Sequence, residues 1–495
     1  MKKLLLQILA TFLFLWTSQF AWADSTNGKL SSVSSWDGAV CSLVGGDIYC
    51  WGNGTNWRLG SNYAYDSSGE KPTKSIILFP QKLPLGKDLK GSKFSSVSVG
   101  RDHVCAITTG KAYCWGNNNY GAVGVDGEMK MPYVKEIQST FGTLQVWEYP
   151  DNPVKSPMPV STGGELAGKE ITAISAGESH TCAVADGKAY CWGTWFEGEL
   201  GNGTGNGNGE KFNPPLSYSK NRFPSAVSTE GALAGKTVTA ISATAGYTCA
   251  IADGGVYCWG DAPGICETKV SGESDNSNFE TCSKQNRFPV FMTGQGPLSK
   301  KKVTAISVGN TKVCVLADGN AYCWGSGDYE FGVDSSIAVS PHSPFVYGNG
   351  DVSAVTVTKD GSFGGDICAV RKQNIYCWGA GTFGSLGDGT GEPSYKPKLV
   401  KGLIKGKKIY ELSTHDLGLC AVGNNDLYCW GPRWDGQLGD GKLKPSSKIP
   451  VRVTFPGQSS KLKALVCKTA YDSSKTYFSL KIDARWCSRV FWQGF

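Results

Sequence analysis

Apolar positions in this chain fall in short strings, rich in β-branched and small residues and separated by turn residues. Such strings predict strands. One kind recurs at Leu30–Trp36, Phe94–Gly100, Ile171–Gly177, Val238–Thr244, Val303–Gly309, Val352–Thr358 and Lys408–Thr414. After each come two shorter apolar runs folded about a turn. In HTCAVADGKAYCWG, which begins at His180, the turn is Asp186-Gly187; Asp253-Gly254, Asp318-Gly319, Thr109-Gly110 and Gly45-Gly46 take the same place. Such dipeptides favour two-residue hairpins, whose turn residues need positive φ. Counting outward from Asp186-Gly187, Ala185 faces Lys188, Val184 faces Ala189, Ala183 faces Tyr190 and Cys182 faces Cys191. Asn424-Asn425 and Lys372-Gln373 fill the slot less well. Asparagine tolerates left-handed backbone and Lys-Gln suits it poorly, so the sixth turn is expected to be of a different type.

A proline-led string completes each unit, around Pro72, Pro159, Pro224, Pro289, Pro344, Pro397 and Pro450. Proline suits a sheet edge or the first residue of a strand. Four strands per unit is the number in a propeller blade. Seven units therefore predict an all-β, seven-bladed β-propeller with four-stranded blades. No proline string precedes the first hairpin, and one follows the last. The expectation is a ring closed by a C-terminal strand: residues near Ile449–Thr454 would complete the blade begun at Leu30, leaving no open sheet edge. Residues 24–456 are then the propeller and 457–495 a tail, either a cap or a degenerate blade.

The same hairpins carry cysteines. Seven pairs share one spacing: Cys41/Cys50, Cys105/Cys114, Cys182/Cys191, Cys249/Cys258, Cys314/Cys323, Cys368/Cys377 and Cys420/Cys429. Beside such a turn they occupy a non-hydrogen-bonded pair, where Cα atoms approach to about 4.5 Å, the short edge of disulfide geometry. A metal site fails on ligand number, since two facing thiols leave a tetrahedral ion short of partners. Each bridge would close a loop of about ten residues and contribute roughly 2.5–3 kcal/mol. Cys266/Cys282 in one inserted loop and Cys467/Cys487 in the tail complete an even set of 18, also expected to be bridged.

An even cysteine count suits an oxidising compartment, and the N-terminus agrees. Lys2 and Lys3, the apolar run Leu4 to Trp16 and Ala21-Trp22-Ala23 read as a secretory signal, residues 1–23, cleaved before Asp24. The apolar run is short for a membrane span, and no later segment is long and apolar enough. The expectation is an exported monomer, periplasmic, cell-surface or extracellular. Removing two lysines and no acid lowers the formal net charge from +7 to +5. The lysines read as dispersed solvated charge with one small cluster at Lys300–Lys302, which argues against a nucleic-acid partner. Glycine, at 65 residues, is about twice its ordinary usage. With plentiful aromatics this is a turn-rich β composition, not a disordered one.

Tyr-Cys-Trp-Gly followed by Gly436-Gln437-Leu438-Gly439-Asp440-Gly441, and Trp378-Gly379 followed by Leu386-Gly387-Asp388-Gly389, resemble the regulator-of-chromosome-condensation repeat family. The resemblance covers about residues 28–456 and implies a seven-bladed propeller. The paired cysteines look like those of exported bacterial members, and the repeats are similar to those of secreted β-lactamase-inhibitor propellers. Insertions such as Asn202–Phe212 and Cys266–Cys282 lengthen the units, and Asp261-Ala262-Pro263 replaces the usual turn of the fourth. The resemblance implies two different roles, nucleotide exchange on a nuclear GTPase and inhibition through loop aromatics. Both are forms of protein binding.

No catalytic motif stands out. His103 and His180 share a place two residues before a hairpin cysteine, which Tyr247, Lys312 and Asp366 hold in other units, so packing or turn chemistry is expected there. Nucleophile elbows, HExxH and phosphate loops are missing, and Gly201–Gly209 lacks the lysine of a P-loop. Asp126, Asp334, Asp388 and Asp440 recur after the glycine turn and read as turn-stabilising residues, with calcium ligation the alternative. No metal or cofactor is expected. The loops after Trp-Gly carry Trp57, Tyr120, Trp195 with Phe196, Tyr329 with Phe331, Phe383 and Trp434, with Arg58 and Arg433 nearby. Equivalent loops leave a ring on one face, so these residues are the candidate binding surface, of the types that interface hot spots favour. The competing use is packing onto the next blade. The expected function is an exported protein-binding scaffold without enzymatic activity. The alternatives are a carbohydrate-binding lectin and, after it, a polysaccharide-acting enzyme.

Overall fold

The computed structural model describes residues 29–60, 75–126, 133–139, 142–148, 153–205, 221–265, 287–326, 340–341, 343–359, 365–415, 417–443, 446–456, 465–468 and 487–489. Its strands form seven four-stranded antiparallel units, the first extended by two further strands. Within each unit a first strand, a tight hairpin and an outer strand follow in sequence order. The first unit is Leu30–Trp36, Ala39–Val44, Asp47–Asn53 and Ser75–Lys82; the seventh is Ile409–His415, Gly418–Gly423, Asp426–Pro432 and Ser446–Arg452. First strands touch the first strands of neighbouring units in an unbroken cycle. The units are therefore blades around a common axis with first strands innermost, a seven-bladed propeller. Among the described residues no helix is long and apolar enough to cross a membrane.

The hairpins have the predicted register: Cys182 opposes Cys191, Ala183 Tyr190, Val184 Ala189 and Ala185 Lys188. All seven hairpin pairs are disulfide-bonded, one per blade: Cys41–Cys50, Cys105–Cys114, Cys182–Cys191, Cys249–Cys258, Cys314–Cys323, Cys368–Cys377 and Cys420–Cys429. Their Cα atoms stand 4.1 Å apart, a little closer than the 4.5 Å typical of this kind of pair. Both turn residues have positive φ, 48° and 71° at Asp186-Gly187. The sixth turn is not a different type: Lys372 and Gln373 stand at 49° and 64°. The ladder and the Cys368–Cys377 bridge fix the strands on either side, and a two-residue connection then matches their twist only in this form. Asp351 pairs with Arg371 at 2.6 Å and with Lys372 at 3.5 Å, tethering both strand and turn.

The proline strings follow their hairpins as outer strands. Contrary to expectation, the segment at Ile449–Thr454 does not complete the first blade. Ser446–Arg452 pairs with Asp426–Pro432 of its own blade, because a strand returning from a short loop meets that edge first. The first blade has its own outer strand, Ser75–Lys82; Pro72 lies outside the described residues. Side chains close the ring instead. Trp51 Nε1 donates to the Gln437 carbonyl at 2.9 Å, Leu30 N–H to Asn425 Oδ1 at 2.7 Å, and the Ser35 and Ser413 hydroxyls lie 3.2 Å apart. Val453 and Phe455 join the first blade's core. Beyond them a C-terminal strand does reach that blade: Leu465–Lys468 pairs with Ser75–Lys82, and Cys487–Arg489 pairs in turn with it, placing Cys467 opposite Cys487. Residues 1–28, Cys266 and Cys282 lie outside the described residues.

The core is divided among the seams between blades; Val184, Leu200 and Leu233, for example, pack with Ala250, Ala252 and Trp259 of the next blade. The tryptophans of the Tyr-Cys-Trp-Gly strings, with Trp51 to Trp430 as first and last, are fully buried. Most donate Nε1–H to a loop carbonyl of the preceding blade: Trp115 to Arg58 at 2.8 Å, Trp192 to Ala122 at 2.9 Å, Trp259 to Glu199 at 2.7 Å and Trp430 to Ser385 at 2.7 Å. The glycine after the loop leucine lies flat on these rings: a Cβ on Gly439 would stand 2.8 Å from Trp51 Nε1. Nearer the axis runs a hydroxyl belt. Ser34 accepts from Val99 N–H, Ser98 from Ala176 and Ser175 from Ala243, all at 2.9 Å, and Ser307 from Val357 at 3.2 Å.

Candidate functional site

Strand direction alternates, so first-to-second and third-to-outer connections leave one face of the ring and hairpin turns leave the other. The third-to-outer connections hold the long insertions: residues 54–74, 118–152, 194–224, 261–289 and 326–344. That of the second blade includes a separate hairpin, Tyr133–Ser139 with Gly142–Glu148. Variable loops on a rigid frame are where binding surfaces concentrate. The hairpin disulfides belong to the frame and not to that surface. Cys50, Cys114, Cys191, Cys258, Cys323, Cys377 and Cys429 are buried, as are the cysteines they bridge.

These connections start with a tight turn that leads into a buried Leu59, Val123, Leu200, Leu386 or Leu438. Two residues earlier φ is positive: 79° at Gly121, 87° at Gly198, 84° at Gly384, 73° at Gly436 and, in the first blade, 64° at Trp57. The aromatics are thus not one ring of equivalents. Trp57 fills the glycine slot, Tyr120 and Phe383 stand one before it, Phe196 and Trp434 two before it and Trp195 three before it.

Their surroundings differ accordingly. Trp57 is buried, with Lys155 Nζ 4.6 Å from its ring centre. Arg58 is fully buried and binds the Trp36 and Arg101 carbonyls, Thr55 Oγ1 at 3.0 Å and Asp37 at 2.9 Å, tying two blades together. Trp195 is buried, with half-buried Phe196 against it at 4.7 Å between centroids. Arg433 is buried against Asp440 at 2.7 Å. Half-buried Tyr120 lines a shallow notch with Asp102, Asn119, Glu178 and Ser179. Among the described members of the set, Phe383 and Trp434 alone are open to solvent, 36% and 46% exposed, and meet edge to face at 4.5 Å across the seam of the sixth and seventh blades. Tyr329 and Phe331 lie outside the described residues.

The titratable groups serve the seams. His103 Nε2 lies 2.7 Å from Thr181 Oγ1 of the next blade, and His180 Nε2 2.8 Å from Thr248 Oγ1. Burial pushes both imidazoles down to about 3, so they stay neutral in the folded chain. Tyr247 donates its hydroxyl to the Gly309 and Lys312 carbonyls of the following blade. In these three blades the position is inter-blade packing; in the sixth, Asp366 instead accepts Gly381 N–H of its own loop at 3.0 Å. His415 is buried and pushed down to about 4; His342 lies outside the described residues. Asp388 accepts from Thr390 N–H at 2.9 Å and Oγ1–H at 2.7 Å, the turn-holding role expected of it. Buried Glu199 caps its own loop by accepting Glu197 N–H at 2.9 Å, as Gln437 does for Asp435 N–H at 2.9 Å. Among the described residues no group of three or more His, Cys, Asp or Glu is gathered for a metal.

The family model for the regulator of chromosome condensation (RCC1) repeat matches residues 45–107, 109–184 and 373–413, and a second such model matches 94–122. Among curated relatives, the human E3 ubiquitin-protein ligase HERC2 is 24% identical over 440 residues, 86% of this chain but 8% of its own length. The Ultraviolet-B receptor UVR8 of Arabidopsis thaliana is 24% identical over 426 residues, 84% of this chain and 79% of its own. Human WBSCR16 superposes with a TM-score of 0.61 at 18% identity, over 83% of this chain and 95% of that one. Prp20p of Saccharomyces cerevisiae, whose structure is described with its binding to Gsp1p and histones, gives 0.59 at 16% identity over 83% and 86%. At these identities the structures speak for the fold.

Proposed function

The chain belongs to the regulator-of-chromosome-condensation repeat family, and from that premise we propose that it is an exported, monomeric, non-enzymatic scaffold that binds a protein partner on its loop face. The observation that carries the reading is the Phe383–Trp434 pair, solvent-open on the face that also bears the long insertions. Large, stiff aromatics contribute contact area at low cost in conformational entropy. Buried neighbours such as Arg58 and Trp195 hold the loops and so pre-organise that surface. Binding of Gsp1p and histones by Prp20p, a protein of the same fold, supports a protein partner. The Lys2-to-Ala23 signal and the cysteine pairing support export.

The test is affinity capture from envelope and culture fractions of the source cells, with oxidised wild-type chain and the Phe383→Ala/Trp434→Ala variant as baits. Capture should be lost while the thermal midpoint stays put. Equal capture by both baits would remove the site. Binding on a glycan array that the same variant loses would move the reading to a lectin.

A further inference from the structure

The lysines are less dispersed than expected: besides Lys300–Lys302, the chain carries Lys396, Lys398, Lys401, Lys405, Lys407 and Lys408 and no acid between Pro393 and Tyr410, against a net charge of +7 for the whole chain. The fold makes this run one surface. It comprises the sixth blade's outer strand, Ser394–Leu399, the turn Gly402–Ile404 and the entry to the seventh blade's first strand. The turn leaves the ring on the hairpin side, opposite the loop face. The lysines are exposed except half-buried Lys407, and none makes an ion pair among the described residues. Lys407 and Lys408 lie 5.9 and 5.3 Å from the ring centres of Tyr428 and Tyr410. Of the bordering acids, Asp426 holds Arg452 at 2.5 Å, Asp388 holds Thr390 and Glu411 holds Ser32 and Val33 N–H, while exposed Glu392 ends the run at its loop-face end.

At the tip, between Lys401 and Lys405, Leu403 is 62% exposed. Gly402 beside it lies against Ile449, itself 41% exposed, and Tyr410 is 56% exposed. Other blades carry Asp88, Glu165, Ala232 or Pro297 at this tip, each just before a buried leucine: Leu89, Leu166, Leu233 or Leu298. The sixth blade departs from them in having a large apolar tip flanked by unpaired cations.

We propose that this turn docks the propeller on an anionic lipid surface, with Leu403 entering the interface and the lysines facing the headgroups. Charge complementarity alone would suit any polyanion, but a soluble one leaves the protruding leucine in water. A bilayer interface takes both the apolar tip and the basic collar. A single apolar tip makes the attachment weak, reversible and salt-sensitive. Docked this way, the opposite face stays free, so the inference stands apart from the protein-binding reading.

The experiment is co-sedimentation of the full mature, oxidised chain with phosphatidylcholine vesicles and with vesicles also containing phosphatidylglycerol. Retention is expected on the anionic vesicles alone and should fall as salt rises. Lys401→Ala and Lys405→Ala should each weaken it about fivefold, and Leu403→Ser should weaken it with the thermal midpoint unchanged. The inference is overturned by equal retention on both vesicle types, by no retention, or by wild-type retention of Lys401→Glu/Lys405→Glu/Lys407→Glu. Undiminished retention of Leu403→Ser would likewise overturn it and mark a site for soluble polyanions. Partner capture measured on these variants separates failure here from failure of the loop-face reading.

Discussion

Lys372 and Gln373 hold left-handed backbone that neither residue favours, and the blade around them is the reason. Replacing them with Asn-Gly should raise stability by about 1 kcal/mol, since the replacements reach those angles without strain. Denaturant midpoints of the oxidised proteins check it. A lower midpoint would mean that the Lys372–Asp351 tether outweighs the backbone strain. Glu411 is a second misfit. It takes Ser32 Oγ–H and Val33 N–H, both at 3.2 Å, across the closing seam. Equivalent places in other blades hold Ser32, Ser96, Ala173, Ala240, Ala305 and Ala354. It keeps some accessible surface but is enclosed by protein, and burial pushes its carboxyl up to about 8 from 4.5. The folded chain therefore holds a proton that the unfolded chain releases above about 4.5. That stability is complete below 4.5 and is lost as pH climbs toward 8. Glu411→Gln should flatten this decline between about pH 4.5 and 8 in a pH series of unfolding midpoints; an unchanged slope would place the titration elsewhere. His103 and His180 act in the opposite sense: folded values of about 3 against 6.5 cost stability as pH falls through that window.

At the scale of elements, the hairpins are legible because all their information is local: a turn dipeptide, alternation on either side and cysteines at matched distance. Removing one staple, Cys182→Ala with Cys191→Ala, should cost roughly 2.5–3 kcal/mol if the unfolded chain gains the full freedom of an open ten-residue loop, read from chemical denaturation. Outer strands are less legible. Proline marks an edge but does not say which blade owns it, and so the strand at Pro450 reads as crossing the seam when it pairs beside Asp426–Pro432. The pairing of Tyr133–Ser139 with Gly142–Glu148 gives no sequence signal because the intervening Thr140-Phe141 is no hairpin dipeptide in the sequence. The hydroxyl belt is legible in principle: Ser34, Ser98, Ser175, Ser242, Ser307 and Ser413 all stand seven residues before a hairpin cysteine. Ser175→Ala, which leaves Ala243 N–H without its acceptor, should cost about 1–3 kcal/mol.

For the whole molecule, periodicity in the sequence reveals the ring and its two faces, but not which side chains a neighbouring blade covers. Trp57, Arg58, Trp195 and Arg433 look like hot-spot residues in the sequence and are buried by contacts with their own fold. Phe383 and Trp434 look the same and remain open, a difference decided across a seam that brings together residues far apart in the chain. The basic turn at Leu403 is hidden for a related reason: its meaning depends on which end of the ring it leaves. The most direct test of a loop-face scaffold is hydroxyl-radical footprinting of the oxidised chain with and without its captured partner. Protection at Phe383 and Trp434, with Leu403 and Tyr410 unchanged, is the predicted result. Protection confined to the hairpin side, with Phe383 and Trp434 as reactive as in the free chain, would contradict it.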